Sequence, residues 1–348
     1  MINRIIIHIG IEKTATTSLQ DFLRKNDHEL LKHGYFLPNA AGEFNQVLFA
    51  KLFRRRPESF LRRHGIFTTS EQAKMRDRLQ YDLEKEISQL GKTPEAMIIT
   101  SEWLHSKLTK SDEIKALGDF LKKFAKKIEV VCYLKEQSAL ANSKYSTSLR
   151  YGLSPSFEEY IKECRPGVTY YNHLQTLSRW SEIASGEKIK CRVFSKRDLK
   201  EGSISVDFLD QLGVDFTNGD WKETPTLNQS LSFNGAMIFR ALNETLAGSN
   251  IPWKYKNVIS DALCGSHNFV TEAEYNRISE EFSFSNEAVR ERFFPNRKTL
   301  FEQQNSFSKS QLLEAELYPE FLSAVQAILT RSGNQFNENV VQEICNLS

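Results

Sequence analysis

The sequence predicts an α/β chain, a three-layer fold around a central parallel sheet followed by a helix-rich C-terminal part. Three observations carry this. Short apolar, β-branched runs alternate with amphipathic segments long enough to cross back over a sheet, the pattern of parallel pairing. The runs are apolar on both faces, as strands buried under two helical layers must be. Beyond about residue 200 the strand signal fades and helical periodicity takes over.

The first run, Ile5-Ile6-Ile7-His8-Ile9, reads as a buried strand. Thr17 to Asn26 follows with Leu19, Phe22 and Leu23 at helical spacing. Ser70 to Leu90 is an amphipathic helix with Met75, Leu79, Leu83, Ile87 and Leu90 on one stripe and a serine cap. Ala96 to Thr100 reads as the next strand, Asp112 to Phe124 as a helix and Glu129 to Leu134 as a third strand. Ser138 to Arg150 is helical, and Ser156-Phe157-Glu158-Glu159 is a capping box opening another helix. A fourth strand spans Ile189 to Phe194, and helices follow near 203–212, 232–247, 269–281, 285–293 and 317–331.

The domain reading is an α/β core over 1–213 with a helical insertion at about 40–92, and a mostly helical part over 214–348 packed on it as one integrated domain. The stretch 214–230, rich in Asp, Asn, Thr and Gly, is the linker candidate. There is neither an internal repeat nor a low-complexity tract.

Composition sets the limits. Of 348 residues 40% are hydrophobic and 26% charged, which excludes disorder, and the net charge of +2 gives no bulk attraction to nucleic acid or membrane. Five scattered cysteines, Cys132, Cys164, Cys191, Cys264 and Cys345, form no CxxC pair, so neither a disulfide framework nor structural zinc is expected. With no basic leader or long apolar span, the expectation is a cytoplasmic chain without a transmembrane segment, a peripheral membrane contact staying open. No carboxylate cluster or His/Cys set stands at metal-ligand spacing, so no metal is expected.

Chemistry concentrates in "HIGIEKTATTSLQ", residues 8–20. A strand, a short turn and a helix start make an anion site, because first-turn amides lack intrahelical partners and the helix dipole adds positive charge. Gly10 lets the chain turn close to a ligand, Lys13 supplies a cation, and Thr14, Thr16, Thr17 and Ser18 add donors. The G-x-x-x-x-G-K-[ST] pattern of ATP-binding P-loops is absent. His8 lies inside the strand and reads as a core histidine.

This run resembles the 5′-phosphosulfate loop of the sulfotransferases that use 3′-phosphoadenosine 5′-phosphosulfate (PAPS), in particular the bacterial glycan- and small-molecule-directed group, whose fold is P-loop-like. The resemblance implies that Lys13 steadies the leaving phosphate, and that Thr14, Ala15 through its amide, Thr16, Thr17 and Ser18 bind the 5′-phosphate. The family often has glycine where this chain has Ala15, so the turn there is expected to be helical rather than left-handed. The family also holds the 3′-phosphate with a basic strand-end residue and a serine eight positions on. Lys135 and Ser143 fill those places, lysine replacing the usual arginine and losing its bidentate fork.

In "IITSEWLHS", residues 98–106, Glu102 ends the second strand where the resemblance places the base for the acceptor hydroxyl, with His105 as the fallback. The function implied is sulfuryl transfer from PAPS to a hydroxyl, on a carbohydrate or glycan precursor, without metal. The partners are then an adenine nucleotide and a small-molecule or glycan acceptor, with no nucleic acid. An ATP- and Mg²⁺-dependent kinase and a non-catalytic nucleotide-binding or assembly protein are the alternatives.

Three further stretches stay open. "FRRRPESFLRRH", 53–64, is a solvated helix face or a greeting for an anionic acceptor. "FSFSNEAVRERFFPNRKTLFE", 282–302, resembles a segment common in the bacterial group, where Arg290, Arg297 and Lys298 would close over the nucleotide; "NQSLS", 228–232, resembles another recurring family element.

Overall fold

The computed structural model describes every residue except 188, 225–229, 247–250, 266 and 304–306. The expected linker and the "NQSLS" element therefore fall partly outside the described residues. Among the described residues there are five strands: β1 (Ile2–Ile9), β2 (Tyr35–Phe36), β3 (Ala96–Ser101), β4 (Ala125–Leu134) and β5 (Ile189–Val193). The helices before β3 are α1 (Thr16–Lys25), α2 (Asp27–Lys32), α3 (Leu48–Lys51), α4 (Ser59–Arg63) and α5 (Thr69–Gln89). Between β3 and β5 come α6 (Glu102–Ser106), α7 (Ser111–Leu121), α8 (Gln137–Arg150), α9 (Phe157–Ile161) and α10 (His173–Ser181). After β5 follow α11 (Ile204–Leu212), α12 (Phe233–Thr245), α13 (Trp253–Ala262), α14 (Glu272–Glu281), α15 (Ser283–Phe293), α16 (Ser310–Arg331) and α17 (Glu338–Cys345).

The chain forms two compact units. The first comprises Met1–Lys135, Asn172–Leu227 and Phe284–Phe301; the second comprises Glu136–Tyr171, Asn228–Ser283 and Glu302–Ser348.

The first unit is the predicted α/β layer structure. Its sheet has the order β2-β3-β1-β4-β5, with every pairing parallel. Ile6, Ile98, Val131 and Tyr133 project from one face onto Leu19, Phe22 and Leu23 of α1 and Phe208 and Leu209 of α11. The chain moves one way across the sheet from β1 through α1, and the other way from β3 through α7 to β4 and on through α10 to β5. Right-handed crossovers then place α7 and α10 on the opposite face. Gly118 lets α7 pack closely there, since a Cβ at that position would lie 2.6 Å from Ile183 Cγ2. Because β1 and β4 are neighbours whose connections leave to opposite faces, a crevice opens at their carboxyl ends.

Three local expectations change. The long helix is capped by Thr68, not a serine, through a reciprocal box with Glu71, and of the apolar stripe only Leu79 and Leu83 are buried. β4 starts at Ala125, four residues early, because Lys126 and Lys127 stay solvated while the backbone pairs with β1. The two-residue β2 has too little sequence to carry a periodicity.

The second unit is helical: α8, α9, α12, α13, α14, α16 and α17. The side chain of Glu136 caps α8 by accepting from the amides of Ser138 (2.9 Å) and Ala139 (2.8 Å). The Ser156–Glu159 capping box predicted for α9 is present. Asn142, on α8, donates to the carbonyl of His267 and accepts from the amide of Phe269, fixing the segment before α14. Among the described residues no helix is long and apolar enough to cross a membrane.

Candidate active site

The turn between β1 and α1 is organised around the carbonyl of Ile11. It accepts from the amide of Thr14 (3.3 Å), the Thr14 hydroxyl (2.7 Å) and the Thr16 hydroxyl (3.4 Å). Two of the hydroxyls offered by the sequence therefore direct their protons into the turn. Gly10 has a specific reason: a Cβ there would lie 2.5 Å from Thr16 Cγ2 and 2.8 Å from its hydroxyl oxygen. The absent side chain makes room for Thr16, which is buried.

The expectation for Ala15 is corrected. Ala15 has φ 55° and ψ 27°, in the left-handed region, and Lys13 has φ 71°. Each non-glycine residue held there costs about 1–2 kcal/mol, so the connection from strand to helix decides the conformation against the local preference of alanine. A left-handed residue followed by a helical one turns successive amides to a common side, making a concave anion-binding nest. Here these are the amides of Ala15, Thr16 and Thr17. The first intrahelical bond of α1 comes from Leu19 to the Ala15 carbonyl (3.0 Å), so the amides of Thr16, Thr17 and Ser18 lie in the turn that has no intrahelical acceptor.

Lys135 follows β4 and reaches the same turn: its ammonium donates to the carbonyl of Lys13 at 3.4 Å. The carbonyl of Lys135 in turn accepts from Nε2 of His173 at 2.8 Å. Burial pushes the His173 imidazole down to about 4, so it is neutral near pH 7 with its proton on Nε2. Its ring meets Phe301 edge-on, with centroids 5.9 Å apart. Ser143 lies two turns into α8, in the second unit.

Glu102 opens α6 directly after β3, with Ser101 as the cap accepting from the Trp103 amide at 3.3 Å. Its carboxylate is fixed by two side-chain amides: Gln20 donates to one oxygen at 2.8 Å, and Asn45 to the other at 3.4 Å. Asn45 is positioned by its neighbour Gln46, which is fully buried. Gln46 accepts from the amide of Thr100 (2.6 Å) and donates to the carbonyl of Ile98 (3.3 Å), doing along the edge of β3 what the short β2 does not. His105 sits one turn beyond Glu102 and is 3% exposed. His8, fully buried, shares a hydrogen bond with Thr100 (2.9 Å) and packs edge-on to Tyr133 and Phe208; burial holds it at about 3, the core role expected.

Four contributors escaped the sequence reading: Gln20, Asn45, His173 and Lys51, the last taken up below. Gln20 had a signal, as the final residue of the motif and four positions past Thr16, on the same helical face. The others come from segments without a recognisable pattern. Arg290 and Arg297 are both engaged in the first unit, Arg290 with Glu287 (2.7 Å) and Arg297 with Asp198.

Fold and turn together define an α/β protein with a concave, amide-lined turn at the carboxyl edge of a parallel sheet. No family profile matches the chain. It is similar to an uncharacterized protein of Archaeoglobus fulgidus, 28% identical over 190 residues, covering 53% of this chain and 51% of the other. The chain thus spans about half the length of the curated relative it matches. Among solved structures it is similar to a sulfotransferase from Alicyclobacillus acidocaldarius, at 18% identity and a TM-score of 0.38, over 72% of this chain and 97% of that one.

Proposed function

We propose that the protein is a PAPS-dependent sulfotransferase acting on a hydroxyl of a carbohydrate or glycan precursor. The observation that carries this reading is the cradle after β1, where the left-handed Ala15 turns amides outward, Lys13 adds a charge, and Lys135 arrives from the neighbouring strand. The 5′-phosphosulfate of the donor substrate would lie against the amides of Ala15 to Ser18 and the hydroxyls of Thr17 and Ser18. Lys135 would hold the 3′-phosphate. Thr14 and Thr16 support the turn through Ile11.

In the reaction, the acceptor oxygen attacks sulfur and forms a new S–O bond. The bond from sulfur to the 5′-phosphate oxygen breaks, its electron pair stays on that oxygen, and Lys13 stabilises the charge. The acceptor proton goes to the Glu102 carboxylate, which the Gln20 and Asn45 amides keep aimed. No nucleophilic side chain is needed; alignment and neutralisation of the leaving group do the work.

A thermal-shift comparison tests the reading. Adenosine 3′,5′-bisphosphate (PAP) without metal, at about 100 times its Kd, should add about 2.7 kcal/mol of stability. Stabilisation by ATP with Mg²⁺ alone would instead assign a kinase. PAP binding without transfer to any hydroxyl from a broad panel, and unchanged by Glu102→Gln, would assign a binding protein.

A further inference from the structure

One cationic cluster in the first unit has no part in the mechanism above. Lys51, the last residue of α3, is 4% exposed, and its ammonium lies 3.9 Å from the centroid of the Trp103 ring and 5.7 Å from that of Phe60. The ammonium of Lys107 lies 5.6 Å from the same Trp103 ring. Among the described residues no carboxylate forms an ion pair with Lys51. Glu58, the acid whose charge reaches it, gives its carboxylate to Arg54 at 2.7 Å, and Glu113 lies 3.6 Å from the same guanidinium. Burial, together with Lys107, Arg54 and Arg63, depresses the Lys51 ammonium to about 8.

A cation taken out of water without a counterion is costly, and neighbouring cations add to the cost. The aromatic faces of Trp103 and Phe60 recover part of it. An anion held between Lys51 and Lys107 would recover more. Trp103 is the residue after Glu102, so the cluster is built on the same short helix that carries the proposed base. The geometry points to an acceptor subsite: Lys51, set against Trp103 with Lys107 nearby, binds a carboxylate or sulfate group of the acceptor, which makes the acceptor an acidic sugar. This rests on the sulfotransferase reading for the word acceptor, but not for the binding of the anion. It also gives the arginine-rich stretch a role: Arg54 binds the carbonyl of Lys107 while Arg63 adds to the local field.

The test is calorimetric titration of the full chain, with and without PAP, using methyl β-D-glucuronide, methyl β-D-glucoside 6-sulfate and methyl β-D-glucoside. At least one acidic sugar should bind about tenfold or more tighter than the neutral one, with the advantage shrinking in about 0.5 M salt. The two acidic probes separate carboxylate from sulfate recognition. Lys51→Met should erase the advantage and Lys51→Arg keep much of it, with PAP affinity unchanged in both. If Lys51→Met does not fold, by circular dichroism, Lys107→Met should still lower the advantage several-fold. Equal binding of acidic and neutral sugars, including no binding by any, overturns the subsite. So does an advantage that survives Lys51→Met or Lys107→Met, or a loss of PAP affinity matching that of Lys13→Ala. Failure of PAP to bind the native chain counts against the sulfotransferase reading alone, since titration without nucleotide still decides the subsite.

Discussion

In the turn after β1, the proposed anion recognition would rest mainly on backbone amides, while one carbonyl, that of Ile11, gathers three donors to hold the shape. Around Trp103 the proposed recognition would rest on side-chain ammonium groups from α3 and from the residue following α6, both near one aromatic ring. The two regions face different demands. Amides fixed at a helix start cannot lose their donors with pH, and they suit a phosphate whose position must not vary during transfer. Ammonium groups on flexible stems give charge attraction with looser geometry, which suits an acceptor. The cradle should therefore fail through geometry and the cluster through charge.

The largest effect separates these at once. On the proposed reading Lys13→Ala, which would remove the charge over the leaving oxygen, should lower kcat by about 10²–10³-fold, and Glu102→Gln by about 10²–10⁴-fold. Steady-state rates with PAPS and an accepted sugar check both, and the outcome that breaks the contrast is a Lys13→Ala enzyme affected only in the KM of the acceptor. Next comes Gly10→Ala, which adds no charge and removes none. Its Cβ would press on Thr16 Cγ2 at 2.5 Å, so it should cost about 1–3 kcal/mol and abolish the stabilisation by PAP. Urea unfolding with and without PAP measures the two together.

How far these regions were legible follows from the same contrast. The cradle occupies residues 10–18, so strand, turn, lysine and helix start were visible as one string, and only the sign of φ at Ala15 was misjudged. Four strands and the alternation of layers were likewise readable, because β-branched runs buried on both faces leave a continuous apolar signature. The support of Glu102 was not readable. Asn45 reaches it only because Gln46 replaces strand pairing at β3, a contact between residues 54 apart that no periodicity announces. Lys51 was invisible for the same reason: its partners lie 9, 52 and 56 positions away in Phe60, Trp103 and Lys107.

A smaller effect concerns the link from Lys135 to its support. His173 stays neutral when folded, its pKa lowered by burial to about 4, while the unfolded chain takes up a proton near 6.5. Between those values the unfolded state holds more protons, so stability falls as pH drops through that window, by about 1.4 kcal/mol per pH unit. His173→Gln keeps a donor for the Lys135 carbonyl and removes the titration. Urea unfolding at pH 7, 6 and 5 should show its slope against pH reduced by about that amount. His8, also depressed by burial, would account for a remaining acid dependence. An unchanged slope would mean that His173 is protonated in the folded chain and that its bond to Lys135 is charged.

The smallest effect bears most directly on how the cradle is made. At φ 55° the Cβ of Ala15 crowds its own backbone, and glycine would not. Against that, glycine is freer in the unfolded chain, which offsets the relief by about 0.4–1 kcal/mol. The balance predicts that Ala15→Gly stabilises the protein by about 0.5–1 kcal/mol with PAP affinity retained, read as a rise in the urea midpoint at unchanged slope. The charge cluster offers no counterpart, because no backbone strain underlies it. If Ala15→Gly instead destabilises the chain by about 1 kcal/mol, the turn is right-handed in solution, the amides of Ala15 to Thr17 diverge, and the nest loses its geometric basis.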